Sequence, residues 1–276
     1  MQANLTGDIS KLRARADELG MFVEGMVPLP RNGDVAAFER VLLDAKAAGA
    51  TVVRSAALSG RRYETFATVQ AWTEWRNQAL AAIKLALPIV EKHRLPLALE
   101  NHKDWTLEEL EPMLASYSSE YLGVCLDFGN NIALLDDPME FAERLAPYAL
   151  STHVKDMGVQ PYADGFLLSE VRLGQGILDL PRIIALVHKA RPRTRFILEM
   201  ITRDPLKVPC LTDAYWAPFP DRNGRHLART MRMVNQRAIR EPLPSVSQLS
   251  REARQAAEET NIRACLSYFR EKLQPV

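Results

Sequence analysis

Cysteine is scarce in this chain of 276 residues: there are three, Cys125, Cys210 and Cys265. They lie far apart, are odd in number and never take CxxC spacing. That argues against a disulfide framework and a thiolate zinc site, and it fits reducing surroundings. Long apolar runs are missing too; none approaches the ~20 residues of a membrane span. The first residues, Met1-Gln-Ala-Asn, lack a basic-then-apolar signal pattern. The expectation is a cytoplasmic protein without a membrane partner. Charge of one sign is also lacking. Thirty-five Lys and Arg against 34 Asp and Glu leave a net charge of +1. No global field therefore steers the chain to nucleic acid.

What is present is an apolar fraction of 47% and a charged fraction of 25%. Both suit one large α/β domain. The stretch from Leu95 to Met200 organises it. Four short apolar runs each end on a metal-ligating residue type. Leu95-Pro-Leu-Ala-Leu ends on Glu100, and Leu122-Gly-Val-Cys-Leu on Asp127. Ala149-Leu-Ser-Thr ends on His153, and Arg195-Phe-Ile-Leu on Glu199. Helix-like segments separate the runs, which is how buried parallel strands read. Alternation puts Ala98, Cys125, Ser151 and Ile197 on the same faces as these four ligands. Three of those partners are small, as the crowded inside of a barrel requires. The ligands then fall at strand C-termini, where (β/α) barrels build active sites.

In chain order, Asp8 or Ser10 caps a first helix that Gly20 stops. Phe22-Val-Glu is a strand carrying Glu24. Asp34 caps a second helix, and Thr51-Val-Val-Arg-Ser is a strand carrying Arg54. Glu24 and Arg54 read equally as substrate contacts at the barrel mouth and as an ion pair or solvated charges. Trp72, Trp75, Ala79, Ile83, Ala86 and Val90 recur at helical spacing from about Glu64 to Lys92, with Pro88 expected to kink or break the helix. The tryptophans read as packing. Thr106 to Glu109 has capping-box spacing, and Asp137-Pro-Met-Glu140 repeats the device. Asp179 caps the helix after the His153 strand. Strand and helix are expected to alternate without interruption. A proline-broken loop follows Glu199, then helices over 224–237 and 250–273. The division expected is a barrel domain over 1–240, shortened at its N-terminus, with a linker and a packed helix over 241–276.

The donor set is hard and oxygen-rich, three carboxylates and one imidazole. It favours one divalent ion, Mn²⁺ or Mg²⁺, with Co²⁺ or Zn²⁺ as alternatives. Such an ion stabilises an enediolate when an α-proton leaves a sugar carbonyl. A carboxylate beside that carbon removes the proton and a second returns one. Lys155 shares a face with His153 and reads as a polariser of a substrate oxygen or a phosphate binder. An ion pair with Asp156 or Glu170 is the equal alternative. His102, two residues after Glu100, is the only other histidine near the site.

Leu-Glu-Asn-His around Glu100, Leu-Asp-Phe-Gly-Asn around Asp127 and His-Val-Lys-Asp from His153 together resemble the xylose isomerase-like TIM barrels. Leu-Gly-Gln-Gly-Ile-Leu-Asp from Leu173 and Leu-Glu-Met at Glu199 fit the same resemblance, which spans roughly 12–200. It implies a metal on Glu100, Asp127, His153 and Glu199, with Glu100 and Glu199 as acid and base. Arg172 resembles the substrate-binding arginine of the family's epimerases. Asn130 stands where many relatives have a substrate-touching histidine. The endonucleases of the superfamily need three zinc ions and more strand-end histidines than this chain, with five in all, provides. Family barrels have eight strands, and about six are visible here. No run precedes Phe22-Val-Glu for the first two, so a barrel incomplete at its N-terminus is expected, with an open edge that something covers, a second copy being one candidate. The function expected is a metal-dependent isomerase or epimerase of a ketose or related sugar. The alternatives are a lyase or dehydratase on a keto-sugar or inosose, and a truncated, non-catalytic barrel.

Overall fold

The computed structural model describes residues 2, 3, 5 and 7–273. Seven parallel strands form one sheet that curls into a nearly closed TIM-like barrel. In order around it they are β1 (Gln2–Ala3), β2 (Val23–Met26), β3 (Ala50–Ala56), β4 (Leu97–Glu100), β5 (Leu122–Asp127), β6 (Ala149–Val154) and, after a hairpin described below, β9 (Phe196–Leu198). β4 and β5 are buried at every position, as strands covered on both faces must be. Helices α1 (Ile9–Glu18), α2 (Val35–Ala47), α3 (Arg62–Thr65), α4 (Val69–His93), α5 (Leu107–Ala115), α6 (Pro138–Leu145) and α7 (Leu180–Ala190) connect the strands.

Local sequence sets the helix starts. Asp8, Asp34, Asp137 and Asp179 each accept a backbone N–H of the first turn, which satisfies a donor that has no intrahelical partner. Glu109 returns to the backbone N–H of Thr106 at 3.0 Å. The tryptophan cluster is packing. Trp72 is buried, and Trp75 and Trp105 lie 4.9 and 5.7 Å from it between ring centroids. The Arg62 guanidinium caps that stack, 3.5 Å above the Trp72 ring and 4.4 Å from Phe219. It is buried and held by Glu109 and the Pro218 carbonyl.

Three expectations need correction. First, one of the two strands thought missing is present. Gln2 and Ala3 pair in parallel with Glu24 and Gly25. A two-residue strand has no periodicity to read; the seven-stranded sheet therefore ends at β1, not at Phe22-Val-Glu. Second, α4 runs unbroken through Pro88. Burial of Ile83, Ala86, Ile89 and Val90 holds the helix across the hydrogen bond that proline cannot make. The helical stretch also begins later, because Arg62–Thr65 is a separate turn. Third, strand and helix do not alternate throughout. Between β6 and α7 lies an antiparallel hairpin, β7 (Asp156–Tyr162) and β8 (Gly165–Val171), extended by β10 (Leu206–Val208). Its tight turn needs Gly165, whose φ is 152° and whose Cβ would lie 2.2 Å from the Val208 carbonyl.

After α8 (Asp213–Trp216) and α9 (Gly224–Arg237), α10 (Arg251–Tyr268) returns to the barrel. Cys265 accepts from the Leu173 backbone, and the Phe269 ring sits 6.4 Å from Phe196 on β9. Among the described residues, no helix is long and apolar enough to cross a membrane.

Candidate metal centre at the strand ends

Register builds the site. Asp127 lies directly beside His153 across β5 and β6, and Glu100 ends β4 next to them. Glu199 follows β9, its backbone N–H bonded to the Val154 carbonyl at 3.0 Å. The inward-facing residues one step below, Ala98, Cys125 and Ser151, are buried and small enough to leave the ligands room. Glu100, Asp127, His153 and Glu199 each offer a donor atom, and these atoms lie within 4.8 Å of one another. His153 Nδ1 is 3.4 Å from Glu100 Oε1 and 3.1 Å from Glu199 Oε2.

The donor atoms fit a divalent ion. Asp127 Oδ2, His153 Nδ1 and Glu199 Oε2 are buried and make no hydrogen bond of acceptable geometry. Lys155 lies beside the two carboxylate oxygens and His153 Nδ1 between Glu100 and Glu199, and donor atoms drawn together in this way form a place that a divalent ion could take. The other sides of the ligands are fixed. Asp127 Oδ1 accepts from the Gly129 and Asn130 backbones at 2.9 and 2.8 Å. Asn101 pins the Asp127 backbone, accepting its N–H at 2.8 Å. His153 Nε2 faces Glu24 Oε2 at 3.3 Å and the Gln2 carboxamide at 2.8 Å. The Gln2 atom on that side is Nε2; once the amide flips to present its oxygen, it and Glu24 accept the His153 Nε2 proton and leave the Nδ1 lone pair for a metal.

Two cations stand behind the ligands. Arg54 Nη1 donates to Glu100 Oε2. Lys155 Nζ lies 2.7 Å from Asp127 Oδ2, 2.8 Å from Glu199 Oε2 and 3.7 Å from Glu170 Oε1. Burial opposes ionisation of Glu100, but His153 and Arg54 outweigh it and hold the carboxyl at about 2. Burial likewise opposes ionisation of Glu199, and Lys155 with His153 hold it well below the ordinary carboxylate range. Asp127 is pushed up to about 6 by burial, against the charge of Lys155.

The residues expected at the substrate separate into groups. Arg54, Asn130 and Lys155 stand around the ligands, as above. Glu24 is buried and turned to His153 Nε2, with Ser151 Oγ donating to its other oxygen. Its geometry is that of an orienting carboxylate behind a ligand histidine. His102 points Nδ1 at the Leu58 carbonyl, 3.1 Å away, and burial pushes it down to about 4. Arg172 donates to Asn261 on α10 at 2.8 Å, and among the described residues it pairs with no ligand carboxylate.

Sequence reasoning offered Asp156 and Glu170 only as ion-pair partners of Lys155, which Glu170 is, and missed their anchoring roles. Asp156 accepts the backbone N–H groups of Met157, Gly174, Gly176 and Leu178. It folds the Gly-Gln-Gly loop against the hairpin, and a Cβ on Gly176 would lie 2.1 Å from Asp156 Oδ1. Asp156 therefore anchors a loop, while Lys155 pairs with the ligands and Glu170. Glu170 also receives the Ile201 backbone at 2.6 Å and Arg203 at 2.8 Å, fixing the segment after Glu199.

Fold and site together are those of a (β/α) barrel with a buried carboxylate–histidine cluster at its mouth that could hold a divalent ion. The chain belongs to the xylose isomerase-like TIM barrel family, whose model matches residues 6–232. Over 204 residues it is 29% identical to 3-oxo-isoapionate decarboxylase of Pectobacterium atrosepticum, covering 73% of this chain and 68% of that protein. A D-psicose 3-epimerase structure determined in the presence of D-fructose shares the fold at TM-score 0.61 and 12% identity, over 99% of this chain and 88% of that one. A xylose isomerase-like TIM barrel protein of Mycobacterium smegmatis in complex with magnesium aligns at TM-score 0.54 and 18% identity, over 84% of each chain.

Proposed function

We propose that this chain is a divalent-metal-dependent isomerase or epimerase acting on a ketose or related oxo-sugar. The observation that carries the reading is the pairing of Glu100 and Glu199. They come from the two outer strands of the ligand set and converge on His153 Nδ1 at 3.4 and 3.1 Å. Each has its own cation behind it, Arg54 for Glu100 and Lys155 for Glu199. Glu100, Asp127, His153 and Glu199 would hold the ion, with Mn²⁺ or Mg²⁺ suited to so oxygen-rich a set. When bound, it supplies Lewis-acid stabilisation of the negative charge that develops on a sugar carbonyl oxygen. One carboxylate takes the α-proton and the other returns one, a role worth ~10²–10⁴-fold in rate. Arg54 and Lys155 hold both side chains in place and keep them anionic at rest, so the one that returns a proton first takes it from solvent.

A second reading, decarboxylation of an oxo-acid, is favoured by the 29% identity to a decarboxylase. The same electron sink then serves cleavage of a C–C bond. Carbon dioxide leaves, and one of the two glutamates, carrying a proton taken from solvent, protonates the carbon. Proton NMR of a panel of ketoses and 3-oxo sugar acids in D₂O with Mg²⁺ distinguishes the two. An isomerase or epimerase washes deuterium into the carbon beside the carbonyl of a ketose and returns a rearranged sugar. A decarboxylase leaves ketoses untouched and releases carbon dioxide from the acid. Absence of both exchange and release across the panel would count against catalysis and for a non-catalytic barrel.

A further inference from the structure

Two buried donors beside the ligand set have capacity that no protein group fills. Lys103 is 4% exposed, and among the described residues no carboxylate lies within ion-pair distance of it. Its Nζ donates to Asn130 Oδ1. That leaves N–H donors of the ammonium free. Asn130 is equally buried, and among the described residues its Nδ2 has no hydrogen-bond partner. A buried ammonium and a buried amide with open donors are costly unless an acceptor completes them. The backbone at Lys103 is left-handed, φ 65°. For a lysine that conformation costs about 1–2 kcal/mol, so the placement is held against a local preference.

The pair sits at the metal centre. The Asn130 backbone N–H is bonded to the ligand Asp127 at 2.8 Å. Lys103 lies close enough to Asp127, Lys155 and Glu170 for their charges to act on it, and burial with Lys155 lowers it to about 8. It therefore stays largely cationic at neutral pH. Lys103 also lines a cavity of about 520 Å³ that Arg61, Arg203 and Lys207 share, against Glu64 and Asp204. Arg61 is already paired with Glu64, and Arg203 with Glu170. The open positive charge thus concentrates on Lys103 at the inner end and Lys207 at the rim.

We propose that Lys103 and Asn130 form an anion subsite beside the metal centre, taking a carboxylate of the substrate across Lys103 Nζ and Asn130 Nδ2. The substrate class is then a sugar acid rather than a neutral ketose. This rests on the metal-dependent reading above and deepens it. One carboxylate oxygen accepts from the ammonium and the other from the amide. Such charge-assisted bonds replace the water both groups lack.

The test is calorimetric binding of matched, unreactive probes to the Mn²⁺-loaded protein: D-ribonate, ribitol and ribitol 5-phosphate. Wild type should bind ribonate at least about tenfold more tightly than ribitol. Lys103→Gln should erase that preference while Mn²⁺ still binds one per chain. Lys103→Asn, which suits a left-handed backbone, guards against a folding defect and should behave alike. Asn130→Asp supplies an internal counter-ion for Lys103 and should abolish the preference too. Equal binding of ribonate and ribitol by wild type, or a preference that survives in all three variants, overturns the subsite. Tighter binding of ribitol 5-phosphate than of ribonate overturns the carboxylate assignment, since a phosphate would then be the natural occupant. Failure of wild type to bind Mn²⁺ at all would instead overturn the metal-dependent reading, so the two failures are distinct.

Discussion

Replacing Glu24 by glutamine isolates one polar contact beneath the metal centre. The Glu24 carboxylate is buried, its Oε2 3.3 Å from His153 Nε2 and 3.6 Å from Arg54 Nε, while Ser151 Oγ donates to its Oε1. Its negative charge demands a proton on Nε2, which frees Nδ1 for the ion. Glutamine keeps the shape but can present its amide N–H₂ to Nε2. The ring then carries its proton on Nδ1, the atom between Glu100 and Glu199. Loss of such an outer partner typically costs 10–100-fold in metal affinity, about 1.4–2.8 kcal/mol. Glu24→Gln also leaves Arg54 with one carboxylate partner rather than two. Some loss of stability is therefore expected, and urea unfolding without metal measures it separately. The assay is calorimetric titration of Mn²⁺ into wild type and variant at the same pH. A tenfold or greater loss supports the account. Wild-type affinity in a folded Glu24→Gln protein would refute the orienting role.

Other sites yield sharper tests of the fold. Gly176→Ala should lose about 1–3 kcal/mol in urea unfolding, because its Cβ would meet Asp156 Oδ1 at 2.1 Å and the Met157 carbonyl at 2.6 Å; an unchanged midpoint would contradict the loop packing. Arg62→Ala should cost about 3–5 kcal/mol by leaving Glu109 without its buried partner, and Arg62→Lys should restore little, since lysine cannot make the paired contacts to Glu109 and the flat contact on Trp72. Burial pushes Asp104 up from 3.8 to about 7, so the folded chain binds this proton more tightly than the unfolded one. Its contribution is therefore present at low pH and is lost as pH rises from about 4 to 7, by up to about 4 kcal/mol. Asp104→Asn should flatten that part of the stability–pH curve, and a parallel curve would show that the shift is absent.

Much of the candidate site was legible because residue type and strand position coincide. Glu100, Asp127, His153 and Glu199 each end a short apolar run, and parallel strands bring such ends to one face. Helix starts were legible for a local reason: an aspartate cap acts within three residues. What stayed hidden depends on partners distant in sequence. Gln2–Ala3 is a strand only because Glu24 and Gly25 lie beside it. Asp156 receives backbone groups about twenty residues onward, so nothing near it announces an anchor. The 156–171 hairpin is buried along much of both strands, which removes the alternation that marks a half-exposed one. Pro88 misled because tertiary burial outweighs a local helix penalty. Lys103 and Asn130 gave no signal as a pair; only the fold brings Lys103 Nζ onto Asn130 Oδ1 and leaves Asn130 Nδ2 without a partner among the described residues.

The most direct test of the central claim is metal content. Purified protein should be stripped with chelator, reloaded with Mn²⁺ and counted by elemental analysis and by the loss of the free-ion magnetic resonance signal. With Glu100, Asp127, His153 and Glu199 as one shared site, the count should be one ion per chain. Asp127→Ala, checked by circular dichroism to be folded, should hold none at the concentration that saturates wild type. Two or three tightly held ions per chain, or a folded Asp127→Ala protein that still binds one with wild-type affinity, would contradict the account.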